Sequence, residues 1–257
     1  MKYLFSEMAG QLLSSLTYTE TLYAFDYDGT LAPIKSTPNK ALPSKQTVAL
    51  LRTLVRSAPT AIISGRSVKD LRTRFDFSPG RLIGNHGAEG LGTAKAAIVK
   101  AKRDCASWKR QLLATWKEEI KDHQVLLEDK TYSLTLHFRN SKKKKKTLPE
   151  LLKRAAELEP HPRILRGKSV INLLSEGTPH KGLVLLELMK INHSKRALYI
   201  GDDETDEDVF SMHDPRIITV RVGKKKNSHA QYYVKSQSEV NRVLRRISNS
   251  LKAHEKN

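Results

Sequence analysis

Short apolar runs closed by turn residues, each paired with a stretch of helical period, recur at both ends of the chain and limit the folds open to it. TLYAF (21–25), TAIIS (60–64) and RLIGNHGAEG (81–90) alternate with SKQTVALLRTLVRSA (44–58) and SVKDLRTRF (67–75). In the first helical stretch Val48, Leu51, Leu54 and Val55 share one face; in the second, Ser67 stands where an N-cap belongs. The alternation resumes late in the chain. TPHKGLVLLELMKI (178–191) reads as a helix with Thr178 as N-cap and Pro179 at its first position. The strand RALYIGDD (196–203), a short helix EDVFSMH (207–213), the strand IITVRVG (217–223) and a closing helix SEVNRVLRRISNSLK (238–252) follow. Strands with no wet face, alternating with helices, predict an α/β fold: a parallel sheet covered on both sides.

Between these halves the pattern changes. DCASWKRQLLATWKEEIKDH (104–123) is one long amphipathic helix in this reading, with Trp108, Leu112 and Trp116 in register. HQVLLEDKTYSLTLHFRN (123–140) then reads as a hairpin turning at Glu128–Lys130, with Tyr132, Leu134, Leu136 and Phe138 alternating toward a core. A helix (148–159) and a second hairpin, PRILRGKSVINLL (162–174), complete the block. Antiparallel alternation of this kind predicts an inserted α+β cap domain at 93–178, splitting a core made of 1–92 and 179–257.

The chain has 257 residues, 39% hydrophobic and 28% charged, enough for a buried core. One cysteine, Cys105, excludes an internal disulfide framework and reads as a small helix residue. The opening MKYLFSEMAGQLLSSL is interrupted by Glu7 and serines, unlike a secretory signal, and no segment holds the ~18 uninterrupted apolar residues of a bilayer span. A cytoplasmic monomer without membrane attachment is expected. The formal net charge of +19 favours phosphate-bearing partners, and SKKKKKT (141–147) is its densest piece. Aromatic residues make up only 6% and none interleave with those lysines, so a base-stacking nucleic-acid surface is poorly supported and the run reads as a solvated helix start.

Four junctions carry pointed chemistry, and in an open parallel sheet the strands' carboxyl ends share one ligand-binding edge. Asp26-Tyr27-Asp28-Gly29-Thr30 follows the first run; continued strand geometry would bring both carboxylates to one spot, where a divalent cation or a proton must relieve their repulsion. Ser64-Gly65-Arg66 offers a hydroxyl and backbone N–H groups at a helix entrance, suited to a phosphate oxygen. Lys181 lies in a first helical turn, a poor place for a cation unless an anion faces it. GDDETDED (201–208) concentrates acids after an apolar strand. Oxygen ligands from Asp26 and Asp202, with a backbone carbonyl, fit Mg2+.

These residues resemble the haloacid dehalogenase superfamily of phosphohydrolases over most of the chain. GDDETDEDVF, the GNHGAEG loop at 84–90 with His86, and LEDKTYSLTLHFR at 127–139 narrow the resemblance to the trehalose-6-phosphate phosphatase family. The resemblance implies a Rossmannoid core with a C2-type α+β cap and a two-step phosphoryl transfer. Asp26 is then the nucleophile, Asp28 the general acid and base, and Ser64 and Lys181 the phosphate holders. Asp26, the Asp28 carbonyl and Asp202 ligate Mg2+, with Asp203 and Asp206 behind them. Arg66, His86, Glu128, Lys130, His137, Arg139, Lys168 and Asn172 are expected to bind the sugar-phosphate substrate. One departure stands out: Asn172 lies in GKSVINLLSEG where the family usually has Glu, and the Arg-Pro that often follows is missing. A glucosylglycerol phosphate or sucrose phosphate is therefore the alternative substrate. A nucleic-acid-binding protein built on a phosphatase-like core is the rival class, disfavoured by the complete hydrolytic set.

Overall fold

The computed structural model describes residues 1–35, 37–92, 95–167 and 169–254. The first half of the core runs β1 (Lys2–Tyr3), α1 (Glu7–Ser15), β2 (Thr21–Phe25), α2 (Lys45–Ser57), β3 (Thr60–Ile63), α3 (Val68–Arg72) and β4 (Arg81–Ile83). Next come α4 (Lys95–Thr115), α5 (Lys117–Asp122), β5 (Leu126–Asp129), β6 (Ser133–His137), α6 (Lys144–Ala156), β7 (Arg163–Gly167) and β8 (Val170–Leu174). The chain ends with α7 (Lys181–Ile191), β9 (Arg196–Gly201), α8 (Glu207–Phe210), β10 (Ile217–Val222), β11 (Tyr232–Val234) and α9 (Ser238–His254). Two compact units result, one of residues 1–90 and 180–257, the other of 91–179.

In the first unit seven strands form one sheet in the order β1-β11-β10-β9-β2-β3-β4, every pair parallel. All five residues of β2 are buried, as a central strand requires, and their continuous apolar character is the reason. Leu51 and Leu54 of α2 and Val240, Val243, Leu244 and Ile247 of α9 join Phe25, Ile62, Ile200 and Val220 in one core cluster. Each such aliphatic side chain contributes about 1.5–3 kcal/mol on burial. Sequence order reverses on either side of β2, so the carboxyl ends of β2 and β9 open the crevice where ligands bind in such sheets. Edge strand β1 and its neighbour β11 span only two and three residues and carry no pattern that sequence reading detects.

The second unit is a four-stranded antiparallel sheet, β5-β6-β8-β7, with Trp108, Leu112, Leu134, Leu136, Phe138, Leu151, Ile171 and Leu173 in one core. Cys105 is buried in that core, and burial pushes its thiol up to about 12.

Three local expectations are corrected. The long helix begins nine residues before Asp104 and breaks at Trp116 (φ −142°, ψ 23°), where the buried indole stacks on His123, so α5 is separate. The first hairpin turns at Lys130–Tyr132, not Glu128–Lys130: Lys130 N–H donates to the Ser133 carbonyl, Thr131 takes φ 74°, and Glu128 stays in β5 opposite Thr135. Helix α7 is capped by His180, whose Nδ1 accepts from Gly182 N–H, whereas Thr178 N–H turns back to the Ser175 carbonyl. That shift of the cap makes Lys181 the first helical residue. The lysine run behaves as read: Lys142–Lys146 are exposed and α6 starts within it.

Candidate active site

Strand geometry ends at Phe25, and this decides what the two opening aspartates do. Beyond it the chain turns, Gly29 N–H bonding the Ala32 carbonyl and Gly29 taking φ 85°. Asp26 and Asp28 therefore take different partners, although the Asp28 charge still reaches Asp26 and raises its carboxyl. Lys181 Nζ donates to Asp26 Oδ1 at 2.8 Å, whereas Asp28 is gripped by Arg66, Nε to Oδ2 at 2.6 Å and Nη2 to Oδ1 at 2.7 Å. Asp26 instead clusters with Asp202 and Asp206, their ligand oxygens all within 4.8 Å of one another.

Asp206 is the hub of this cluster. Its Oδ1 accepts from Lys181 Nζ at 2.8 Å and from the Tyr199 hydroxyl at 2.6 Å; its Oδ2 accepts from the backbone N–H groups of Asp202 and Asp203, both at 2.9 Å. Four donors saturate it, which makes it an organiser of the loop. Gly201 permits this approach, because a Cβ there would stand 2.2 Å from the Asp206 carboxyl carbon. From β10, buried Arg221 donates to the backbone carbonyls of Asp202 and Asp203 and to Glu207, pinning the same loop from below. Tyr199 and Arg221 were missed by sequence reading; a lone tyrosine in an aliphatic strand end and an arginine inside the apolar run IITVRV were the available signals.

Charge and burial set the site's electrostatics. Burial pushes the Asp26 carboxyl up to about 8, with Asp206 and Asp28 adding to the rise and Lys181 opposing it. Burial likewise pushes Asp202 up to about 9, followed by repulsion from Asp26, Asp206 and Asp203. For Lys181 burial works against the charged form, yet Asp206 and Asp26 outweigh it and hold the ammonium well above its ordinary range. Carboxyls forced up in this way are short of positive charge. Asp202 Oδ1 is buried without a hydrogen-bond partner among the described residues, and the Asp202 carboxylate lies against the Gly29 backbone, where a Cβ would approach within 2.1 Å. An all-oxygen set with an orphaned buried carboxylate oxygen fits a hard divalent cation such as Mg2+.

Ser64, at the end of β3, is buried; its hydroxyl accepts from Arg66 N–H at 3.2 Å and its carbonyl accepts from His86 N–H. The His86 ring fills the space above Gly65, and Glu89 accepts from Val68 N–H at 2.7 Å, fastening the GNHGAEG loop to the start of α3. Asp70 on α3 accepts from Arg66 Nη1 at 2.7 Å and Arg74 Nη2 at 2.5 Å. Burial would raise the Asp70 carboxyl, but these two guanidinium groups prevail and hold it below the usual range.

Within the other unit, one face of the antiparallel sheet carries a row of polar residues. Glu128, Thr135 and Asn172 stand opposite one another across β5, β6 and β8, and Thr135 Oγ1 donates to Asn172 Oδ1 at 2.8 Å. His137, two residues from Thr135, meets Glu128 at 2.6 Å, and Lys130 Nζ is 3.7 Å from the same carboxylate. Arg139 is half-buried just beyond β6. Lys168 lies outside the described residues.

The family model described as Trehalose-phosphatase matches residues 24–241. The chain belongs to the trehalose-phosphatase family. It is 25% identical to trehalose-phosphate phosphatase B of Arabidopsis thaliana, over 93% of this chain and 69% of that protein. It is 30% identical to the trehalose-phosphate phosphatase of Mycobacterium ulcerans over 80% of this chain, and spans 55% of that longer protein. The named relatives are phosphoric monoester hydrolases, as is the family that this chain joins. Among solved structures, the C-terminal domain of the C. albicans trehalose-6-phosphate phosphatase shares the fold (TM-score 0.76, 22% identity, 93% of this chain and 96% of that one). A haloacid dehalogenase-like hydrolase from Bacteroides thetaiotaomicron does so more distantly (TM-score 0.54, 15% identity, 88% and 99%). The trehalose-phosphatase family thus brings with it the haloacid dehalogenase architecture of parallel core and antiparallel cap.

Proposed function

We propose that this chain hydrolyses trehalose 6-phosphate to trehalose and phosphate, through a covalent intermediate on Asp26. The observation that carries the reading is the buried Asp26–Lys181–Asp206–Asp202 cluster at the carboxyl ends of β2 and β9. Lys181 holds Asp26 Oδ1, leaving the other oxygen to attack phosphorus in line. The new Asp26–phosphorus bond forms as the bond to the sugar oxygen breaks, and Asp28 gives that oxygen its proton. Water then attacks the aspartyl phosphate, Asp28 takes a proton from it, and the Asp26 carboxylate is regenerated. Ser64 donates its hydroxyl to a phosphate oxygen, and Lys181 offsets the phosphate's charge. Asp26, Asp202 and the Asp28 carbonyl would hold Mg2+, which when bound neutralises charge on the transferring phosphoryl group.

The cap, proposed at residues 93–178, supplies sugar contacts in this reading through Glu128, Lys130, His137, Arg139 and Asn172. His86 is assigned to the same substrate. Arg139→Ala and Lys130→Ala are expected to lower turnover of trehalose 6-phosphate about tenfold or more while sparing a nitrophenyl phosphate, since remote contacts act only on substrates that reach them. Parallel assays on the two substrates check this, and equal losses on both contradict the cap assignment. A cytoplasmic setting is proposed with this function; among the described residues, no helix is long and apolar enough to cross a membrane.

The raised carboxyl groups give a pH test with a definite sign. Asp26 and Asp202 have folded values of about 8 and about 9, against 3.8 in an ordinary setting. The stability these groups contribute is therefore present at low pH and is lost as pH rises through about 8 to 9 in metal-free protein. Mg2+ needs the ionised carboxylates, so the rise in melting temperature on adding Mg2+ is expected to be larger at pH 8.5 than at pH 6. Thermal unfolding in EDTA and in Mg2+ at both pH values measures it; a larger shift at pH 6 contradicts the assignment.

A further inference from the structure

Arg66, which sequence reading places against substrate, has its guanidinium turned to other work. Its two forked nitrogens take both oxygens of Asp28, at 2.6 and 2.7 Å, and its third takes Asp70 at 2.7 Å. The side chain is nearly buried and lies over the Tyr27 ring, 5.1 Å from its centroid. Asp70 is itself fixed. It belongs to the first turn of α3, its N–H donates to the Ser67 cap, and Arg74 holds its other oxygen while also donating to the Asn39 carbonyl. An unbroken relay thus runs from Asn39 through Arg74, Asp70 and Arg66 to Asp28. The Asp28 side chain is 40% exposed, so little packing is available to hold its short carboxylate in one orientation. A planar fork that meets both its oxygens does, which a lysine's single point cannot.

We propose that Arg66 is a positioning residue for Asp28: it sets the place from which the Asp28 carboxyl exchanges its proton with the leaving oxygen and with water, and it does not bind the sugar. Asp70 keeps the guanidinium paired and aimed whenever Asp28 turns toward the reacting atoms. This rests on the acid–base reading of Asp28 above.

A double-mutant cycle separates the possibilities, using Arg66→Ala, Arg66→Lys, Asp28→Asn and the Asp28→Asn/Arg66→Ala pair, each checked for folding by circular dichroism. Arg66→Ala is expected to lower kcat on trehalose 6-phosphate by about 10²-fold, the cost of misplacing a reacting group by an ångström, with KM nearly unchanged. The first-turnover burst of nitrophenolate, whose leaving group needs no proton, is expected to stay near wild type. In the Asp28→Asn background Arg66→Ala is expected to add nothing, because a positioning residue has no effect once the group it positions is gone. Added guanidinium ion is expected to restore part of the Arg66→Ala rate and none of the double variant's. Arg66→Lys, the variant least disruptive to folding, is expected to show the same kcat loss. A raised KM at unchanged kcat, or losses that multiply in the double variant, overturns the proposal and returns Arg66 to the substrate. A wild-type rate for Asp28→Asn alone on the sugar phosphate overturns the acid–base reading, and the Arg66 proposal with it.

Discussion

Asp26→Asn is expected to abolish phosphate release without harming the fold. The substitution removes the attacking oxygen's charge while leaving an amide oxygen to accept from Lys181 Nζ, which sits 2.8 Å from Asp26 Oδ1. Loss of a covalent nucleophile costs on the order of 10⁶-fold in enzymes where it has been removed cleanly. Stability changes the other way. Burial already pushes the Asp26 carboxyl up to about 8, so its ionised form opposes folding in metal-free protein. The variant's melting temperature in EDTA at pH 8.5 is therefore expected at or above the wild type, and its gain from Mg2+ smaller. Phosphate release and thermal unfolding on the same preparation check both halves. Retained turnover, or a melting temperature several degrees lower in EDTA, contradicts the role given to Asp26.

Asp206→Ala has the opposite profile, damaging fold and chemistry together. Removing this carboxylate takes an acceptor from four donors at once: the Lys181 ammonium, the Tyr199 hydroxyl and the backbone N–H groups of Asp202 and Asp203. Lys181 and Asp206 are both essentially inaccessible to water, so among the described residues the ammonium keeps only Asp26 as an ion-pair partner. Breaking a buried pair from one side costs about 3–5 kcal/mol. Urea unfolding is expected to show a loss of that order, and the loosened 201–206 loop is expected to weaken Mg2+ binding as well. Asp206→Asn is expected to be milder, since its amide oxygen can satisfy part of the set. A destabilisation under about 1 kcal/mol for Asp206→Ala would mean that the hub does not organise the loop.

Much of the proposed site was legible in the residues, because a carboxylate at a strand end or a lysine at a helix start is costly without a ligand. Asp26, Lys181 and Asp202 stood out on that ground, whereas Ser64 gained weight only beside them. The alternating apolar runs likewise exposed the parallel sheet and the interrupting block. What was hidden depended on partners distant in sequence. Only the family resemblance put Asp206 beside Lys181, 25 residues away, and nothing local says that Arg66 reaches Asp28 across 38. That Asp26 and Asp28 take different partners turns on strand β2 ending one residue before Asp26, and helix and strand ends are where local pattern is weakest. The break at Trp116 arises because the buried indole packs on His123 from the following turn, a tertiary preference that overrides the helical period.

The central claim is that the acid cluster beside Lys181 cleaves trehalose 6-phosphate through an aspartyl phosphate. Acid quenching of the purified chain during turnover of substrate carrying labelled phosphate tests it most directly. The account predicts label bound to protein in Mg2+, released by hydroxylamine as acyl phosphates are, located by peptide mapping to Asp26, and absent in EDTA or in Asp26→Asn. Free labelled phosphate released at full rate by Asp26→Asn, or label bound stably elsewhere on the chain, would contradict it.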